Sequence, residues 1–253
     1  MPALPAALLA RPIAHRGLHD RAVGVIENSP AAFARAIAAG YGIELDLQLS
    51  ADGVAMVFHD DTLDRLTAQS GPLRGLSAAA LGQITLSGSA SGDHIPTLAA
   101  ILDQVAGQVP LLIELKDQSG AAGVGVTDLE QAVATTLAGY GGDVAVMSFN
   151  PAMMAAMAAL APDLPRGITS CGFEPGDWPD LSAETCALLR DISSFEAVGA
   201  SFISHDWHDL ARPRVSELKA GGVPILCWTV KSPEAEGIAR RLADQITFEG
   251  YPA

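Results

Sequence analysis

Short apolar runs alternate along the chain with stretches that carry helix signals. The runs PIAH, GIELDLQL, VAMVFH, PLLIELK, DVAVMSF, RGITS, ASFISH, VPILCW and QITF read as strands. Between them, Ser29-Pro30, Asn150-Pro151 and Ser232-Pro233 each place a capping side chain before a proline at the first helical position. Thr127 with Glu130 spells a capping box, and Thr97 precedes LAAILDQV, whose apolar residues recur at helical spacing. Gly40, Gly107, Gly139 and Gly221 lie where those helices should stop.

One connection breaks the alternation. Only a few residues, including Asp52-Gly53, separate LDLQL from VAMVF, far too few for a parallel crossover, so this pair reads as a hairpin. A two-residue Asp-Gly loop sets Ala51 opposite Val54 and therefore Asp46 opposite His59. That register puts Leu45, Leu47 and Leu49 with Val54, Met56 and Phe58 on one face. Glu44, Asp46 and Gln48 with Val57 and His59 take the other. With the returning arm set aside, eight strand candidates joined by helical connections remain. They predict α/β architecture: a closed parallel (β/α)8 TIM barrel with a β-hairpin after the second strand, ahead of an open doubly wound sheet. No repeat or linker divides residues 1–253, which read as a single domain. The stretch 64–97, with SGSASG inside it, reads as a loop region near the barrel mouth.

Composition sharpens this reading. A length of 253 residues suits one such barrel, and with 49% hydrophobic residues a sizeable core can form. Only 17% of residues are charged, so each charge inside an apolar segment needs a reason. A net charge of −14 argues against a nucleic-acid backbone or an anionic membrane as the main partner. It also means that an anionic substrate needs a local cation. Cys171, Cys186 and Cys227 are widely spaced, odd in number and without a CxxC pattern, which argues against a disulfide framework or zinc cage. No apolar run is long enough to cross a bilayer, and MPALPAALLARP lacks the basic start of a secretory signal. The expectation is a soluble cytoplasmic protein whose N-terminus is a surface arm or first helix.

In a parallel barrel the C-terminal strand ends converge on one face, which holds the active site. Those ends carry His15-Arg16, Glu44-x-Asp46 and Glu114-x-Lys116, and the hairpin brings His59 beside Asp46. Three carboxylates so close repel unless a cation lies among them, and an all-oxygen set favours Mg2+ or Ca2+ over zinc. Such an ion, with Arg16 and Lys116, can hold a phosphate oxygen. His15 and His59 can then serve as general base and general acid.

Taken in order, HRG, ENSPAAF, ELD, DGVAMVFHD, IPTL, ELK and WTV resemble the glycerophosphodiester phosphodiesterase family, from about Pro12 to Pro252. The resemblance implies a barrel related to that of phosphatidylinositol-specific phospholipase C and a small-molecule glycerophosphodiester substrate. It implies metal binding through Glu44, Asp46 and Glu114, with His15 and His59 as the acid/base pair. It further implies attack on phosphorus by the neighbouring glycerol hydroxyl, giving a cyclic phosphate that water then opens. Two departures stand out: Lys231 follows WTV where the family often has Asn, and 247-TFEGYP-252 replaces a T-D-x-P ending. Neither touches the expected acid/base or metal set, so both bear on substrate preference. The span from His59 to Glu114 leaves little room for a separate cap domain, so head-group contacts must come from loops.

Other readings compete locally. An amidohydrolase would open with H-x-H on its first strand, where this chain has HRG. A barrel that only binds phosphate would not need both histidines. Asp60 reads as a supporting or loop-capping residue, Glu27 as an unsupported ligand, and Asn28 as ordering the loop after the first strand. Trp228 either packs against glycerol or belongs to the core. The SHDWHD segment containing His205 and His208 reads as a rim loop, and Ser170-Cys171 carries no nucleophilic signature. The alcohol on the phosphate, the choice between Mg2+ and Ca2+, and the oligomeric state stay open.

Overall fold

The computed structural model describes residues 2–119, 128–174 and 176–253. Its nine strands are β1 Ile13–Ala14, β2 Gly42–Leu49, β3 Ala55–Val57, β4 Leu111–Leu115, β5 Val144–Ser148, β6 Arg166–Ser170, β7 Phe202–Asp206, β8 Ile225–Val230 and β9 Gln245–Phe248. Eight of them pair in parallel. The sheet closes because Ile13 and Ala14 of β1 pair with Gly42 and Ile43 on one side and with Thr247 and Phe248 on the other. β3 lies outside this ring, antiparallel to β2. The architecture is therefore a (β/α)8 barrel with a hairpin after its second strand.

The helices begin where their capping chemistry directs. The side chains of Ser29, Thr97, Asn150 and Ser232 accept from the backbone N–H of Ala32, Ala100, Ala152 and Ala235, with proline at the first turn in three of the four. Thr127 lies outside the described residues. Gly40 ends its helix with φ 72°, but after Gly221 the left-handed turn falls on Gly222 at φ 83°.

Period-two alternation sorts each strand into two faces. Leu45, Leu47, Leu111, Ile113, Leu115 and Val146 face outward and pack against helix residues such as Phe33, Ile101 and Met153. The inward set at the lower end, Ile13, Leu112, Ala145, Met147, Phe202 and Leu226, forms its own core cluster together with Leu8. Leu8 belongs to the short helix Ala7–Ala10, and Leu9 O accepts a hydrogen bond from Gln245 Nε2 at 2.9 Å. The N-terminal segment is thus a plug against the barrel interior rather than a surface arm.

The hairpin register differs from expectation by one residue. Leu47 pairs with Val57 and Leu49 with Ala55, so Asp46 faces Phe58 instead of His59. The loop has three residues between Ser50 and Val54, with Gly53 at φ 78° supplying the left-handed position. Both faces of β3 are apolar, so hydrophobic alternation could not choose the register. Ala55 and Val57 join the main core, whereas Met56 and Phe58 join a second cluster with Ile26, Leu63, Leu66, Leu73, Leu81 and Ile95. That second cluster gives the 64–97 loop region a small core of its own.

Candidate active site

The site begins at the turn after β1. Arg16 and Gly17 both adopt left-handed backbone, at φ 53° and 79°. The turn aims the Arg16 N–H at Glu44 Oε2, 2.9 Å away, and Arg16 O accepts from Asn28 N. A Cβ on Gly17 would lie 2.8 Å from the Phe33 ring and 2.9 Å from Ala32 Cβ. HRG therefore needs its glycine twice, for conformation and for close approach to the helix Pro30–Ala39. Gly17→Ala is expected to destabilise the protein by about 1–3 kcal/mol, read as a lower unfolding midpoint in urea; an unchanged midpoint would contradict this.

Asp46 and Glu114 are paired in register on adjacent parallel strands, and Glu44 lies two residues below Asp46 on the same inward face. All three carboxylates are buried, and one oxygen from each lies within 4.8 Å of the others. Lys116 Nζ contacts Asp46 Oδ1 at 2.8 Å and also Glu114, while Arg16 Nε approaches Asp46 Oδ2 at 3.2 Å. Asn28 Nδ2 donates to Asp46 Oδ2 at 2.8 Å.

This crowding splits the three acids. Burial, reinforced by Asp46 and Glu114, raises the Glu44 carboxyl well above its ordinary value. Burial also raises Glu114 against the opposing pull of Lys116. For Asp46, burial is outweighed by Lys116, His59 and Arg16, which hold its carboxyl far below the usual range. An all-oxygen donor set short of positive charge fits a hard divalent cation, and Glu44, Asp46 and Glu114 are the residues that could hold it.

His15 and His59 line one cavity of about 110 Å3 together with Arg16, Glu44, Glu114, Lys116, Phe149 and Trp228. Each ring is held at Nδ1 by a carboxylate: His15 by Glu249 Oε2 at 2.6 Å and His59 by Asp60 Oδ1 at 2.7 Å. A carboxylate only accepts, so Nδ1 carries the proton and Nε2 is the exchangeable nitrogen on each ring. Burial is the largest influence on both imidazoles and lowers both below 6.5. Gln48 Nε2 donates to His59 O, steadying the loop that presents the second histidine.

The structure brings every expected site residue together, but two supports were missed. Arg65 binds Asp60 through Nε at 2.6 Å and reaches Glu27 through both terminal nitrogens, while Glu27 binds Arg16 at 2.6 Å. Glu27 is therefore a brace, not a member of the carboxylate trio; Arg65 and Arg16 overcome burial and lower its carboxyl to about 2. Nothing in the sequence around Arg65 marks it. Glu249 had a readable signal, because period two from Gln245 and Thr247 carries it onto the inner face. The two departures from the family pattern meet here: Lys231 Nζ lies 2.7 Å from Glu249 Oε1. Their expected separation from the acid/base set is corrected, since both connect to His15.

Trp228 lines the cavity, its Nε1 donates to Ser204 O and its ring packs edge-on against Phe149. His205 is fully buried, with Ser170 Oγ at 2.8 Å from Nδ1 and Asp209 Oδ2 at 3.2 Å from Nε2, so this serine–histidine–aspartate array is part of the packing. His208 is exposed and bound to Asp206. Burial raises the Cys171 and Cys227 thiols to about 11 and about 12, which leaves them inert near neutrality.

A parallel barrel with paired histidines, a carboxylate trio and two cations at the C-terminal strand ends has the form of a barrel enzyme acting on an anionic ester. The profile of the Glycerophosphoryl diester phosphodiesterase family matches residues 15–248. A glycerophosphodiester phosphodiesterase of Caldanaerobacter subterraneus is 32% identical over 232 residues, covering 88% of this chain and 86% of its own. A phosphodiesterase from Oleispira antarctica, solved with its product sn-glycerol-3-phosphate, superimposes with a TM-score of 0.76 at 24% identity, over 98% of this chain and 95% of its own. A glycerophosphodiester phosphodiesterase from Agrobacterium tumefaciens gives 0.69 at 25% identity, over 98% and 96%. The chain belongs to the glycerophosphoryl diester phosphodiesterase family, and it is a phosphoric diester hydrolase. No helix among the described residues is long and apolar enough to cross a membrane.

Proposed function

We propose that the whole chain, as a single cytoplasmic domain, hydrolyses glycerophosphodiesters to glycerol phosphate and an alcohol. The reaction depends on a divalent metal and uses His15 and His59 as its acid/base pair, through a cyclic phosphate. The observation that carries this reading is the cavity that both histidines share, with each Nδ1 tied to a carboxylate and the carboxylate trio alongside. The Oleispira antarctica phosphodiesterase was solved with sn-glycerol-3-phosphate, the kind of product this reading assigns to the chain.

Mg2+ or Ca2+ held by Glu44, Asp46 and Glu114 supplies Lewis-acid charge that stabilises the phosphoryl oxygens. Arg16 and Lys116 add fixed positive charge where negative charge develops. Lys116 keeps that charge because Asp46 and Glu114 outweigh the burial that opposes it. One histidine Nε2 accepts the proton of the glycerol hydroxyl as its oxygen attacks phosphorus. The other histidine gives a proton to the alcohol oxygen as the bond from phosphorus to that oxygen breaks. The roles reverse when water opens the cyclic phosphate. Holding nucleophile and phosphorus in one small pocket makes the first step intramolecular. Trp228 and Phe149 form the apolar wall against which the glycerol carbons pack.

The test is a substrate panel followed by phosphorus NMR. Glycerophosphodiesters should turn over well, and diesters without a neighbouring hydroxyl should be poor substrates. Equal turnover of a simple dialkyl phosphate would overturn the cyclic route in favour of direct attack by water.

A further inference from the structure

The two histidines are supported in the same way, one within a single loop and the other by residues distant in the chain. On one side the order is His59, Asp60 and Arg65, all within one loop. On the other it is His15, Glu249 and Lys231, assembled from the ends of β1, β9 and β8. Glu249 follows β9, where its N–H donates to Val230 O at 3.0 Å, so the backbone that carries it is bonded to the strand leading to Lys231. Its two oxygens are used separately, Oε2 by His15 and Oε1 by Lys231. His19 Nε2 stands 3.5 Å from Oε2 as a competing partner.

The geometry points to Glu249, clamped by Lys231, as the positioning residue that fixes the ring orientation and tautomer of His15. This rests on the reading above, in which His15 carries a proton. A neutral imidazole can place its proton on either nitrogen and can rotate, and only one arrangement turns a basic Nε2 toward the substrate. A carboxylate at Nδ1 selects that arrangement and stabilises the imidazolium formed when Nε2 takes up a proton. Glu249 reaches beyond a single contact, so it needs its own restraint. Without Lys231 the carboxylate can turn toward His19, and its uncompensated charge would oppose an anionic diester. Lys231 answers both problems while standing largely in solvent, at 67% exposure.

The experiment is steady-state kinetics on glycerophosphocholine for Glu249→Ala, Glu249→Gln, Lys231→Ala, His19→Ala, His15→Ala and the double variant Glu249→Ala/His15→Ala. Metal titration and thermal unfolding of each variant run alongside. Glu249→Ala should lower kcat on the order of 10²-fold with KM and metal affinity little changed. Glu249→Gln should lose rate as well, because its amide N–H can donate to Nδ1 and favour the tautomer that leaves Nε2 protonated. Lys231→Ala should cost less than Glu249→Ala, and His19→Ala should leave the rate near that of the parent. In the His15→Ala background, Glu249→Ala should add nothing further.

A collapsed His15→Ala rate beside a near-normal Glu249→Ala rate overturns the positioning role and leaves the proposed mechanism standing. Conversely, a near-normal His15→Ala rate overturns the mechanism itself. Full additivity of the two substitutions would show that Glu249 acts elsewhere and also overturns the positioning role. Glu249→Gln, nearly the same shape, decides the matter if the alanine variant does not fold.

Discussion

Chelation of divalent cations is expected to abolish phosphodiester hydrolysis, with Mg2+ or Ca2+ restoring it. Among the described residues, three buried carboxylates within 4.8 Å of one another face two cationic side chains, Arg16 and Lys116, and burial together with this crowding raises Glu44 and Glu114 above their ordinary values. A metal needs those groups ionised, so binding should release protons, and affinity should fall as pH falls through the raised values. Stability gives an independent sign. For Glu44 and Glu114 the folded value lies above the unfolded one. Their contribution in the metal-free protein is therefore full below the ordinary carboxylate pKa and is lost as pH rises through the raised value. Added metal should flatten that loss in thermal melts.

The three ligands should not behave alike when replaced. Glu44→Gln relieves repulsion, so the metal-free protein should be at least as stable as the parent while metal affinity and turnover collapse. Asp46→Ala removes the partner of Lys116 and Arg16 and should cost about 3–5 kcal/mol besides its effect on metal. Calorimetric titration of metal with parallel melts reads both effects. Full turnover in excess chelator would falsify the metal-dependent reading.

The parts of this molecule that were legible in sequence are those where one physical rule acts alone. Strand alternation and helix caps announced all eight barrel strands, because inward and outward faces differ in kind: Leu45 and Leu47 meet helices, while Glu44 lines the pocket and Asp46 meets Lys116 and Arg16. The hairpin register was not legible, because Met56 and Phe58 find a second apolar cluster and both faces of β3 read as buried. His59 reaches the cavity all the same, since the chain leaves strand geometry after Val57 and the loop, not the ladder, aims the ring. The chemistry-bearing residues were readable as types. Their supports were not, because contacts such as Glu249 to His15 join positions 234 apart and Arg65 gains meaning only from the fold. Lys231 and Glu249 look like separate departures along the chain and become one ion pair in space.

Replacing either His15 or His59 by Ala is expected to collapse turnover while leaving the divalent metal bound. Neither ring belongs to the Glu44, Asp46 and Glu114 group proposed to hold the metal, and each has its Nδ1 committed to a carboxylate of its own. What each ring offers to the cavity is one nitrogen, and burial keeps that nitrogen unprotonated near neutrality in the substrate-free protein. One histidine is therefore ready to act as base. The other must gain a proton before it can act as acid, and the negative charge of a bound diester favours that by raising the imidazole pKa. Acid/base catalysis contributes about 10²–10⁴-fold, so each single variant should lose kcat on that scale. The double variant should lose less than the product of the two losses, because both rings serve one reaction coordinate. Metal titration beside kinetics on both variants separates the alternatives. If metal affinity fell in step with rate, the rings would be ligands, and the proton-transfer roles assigned to them would be wrong.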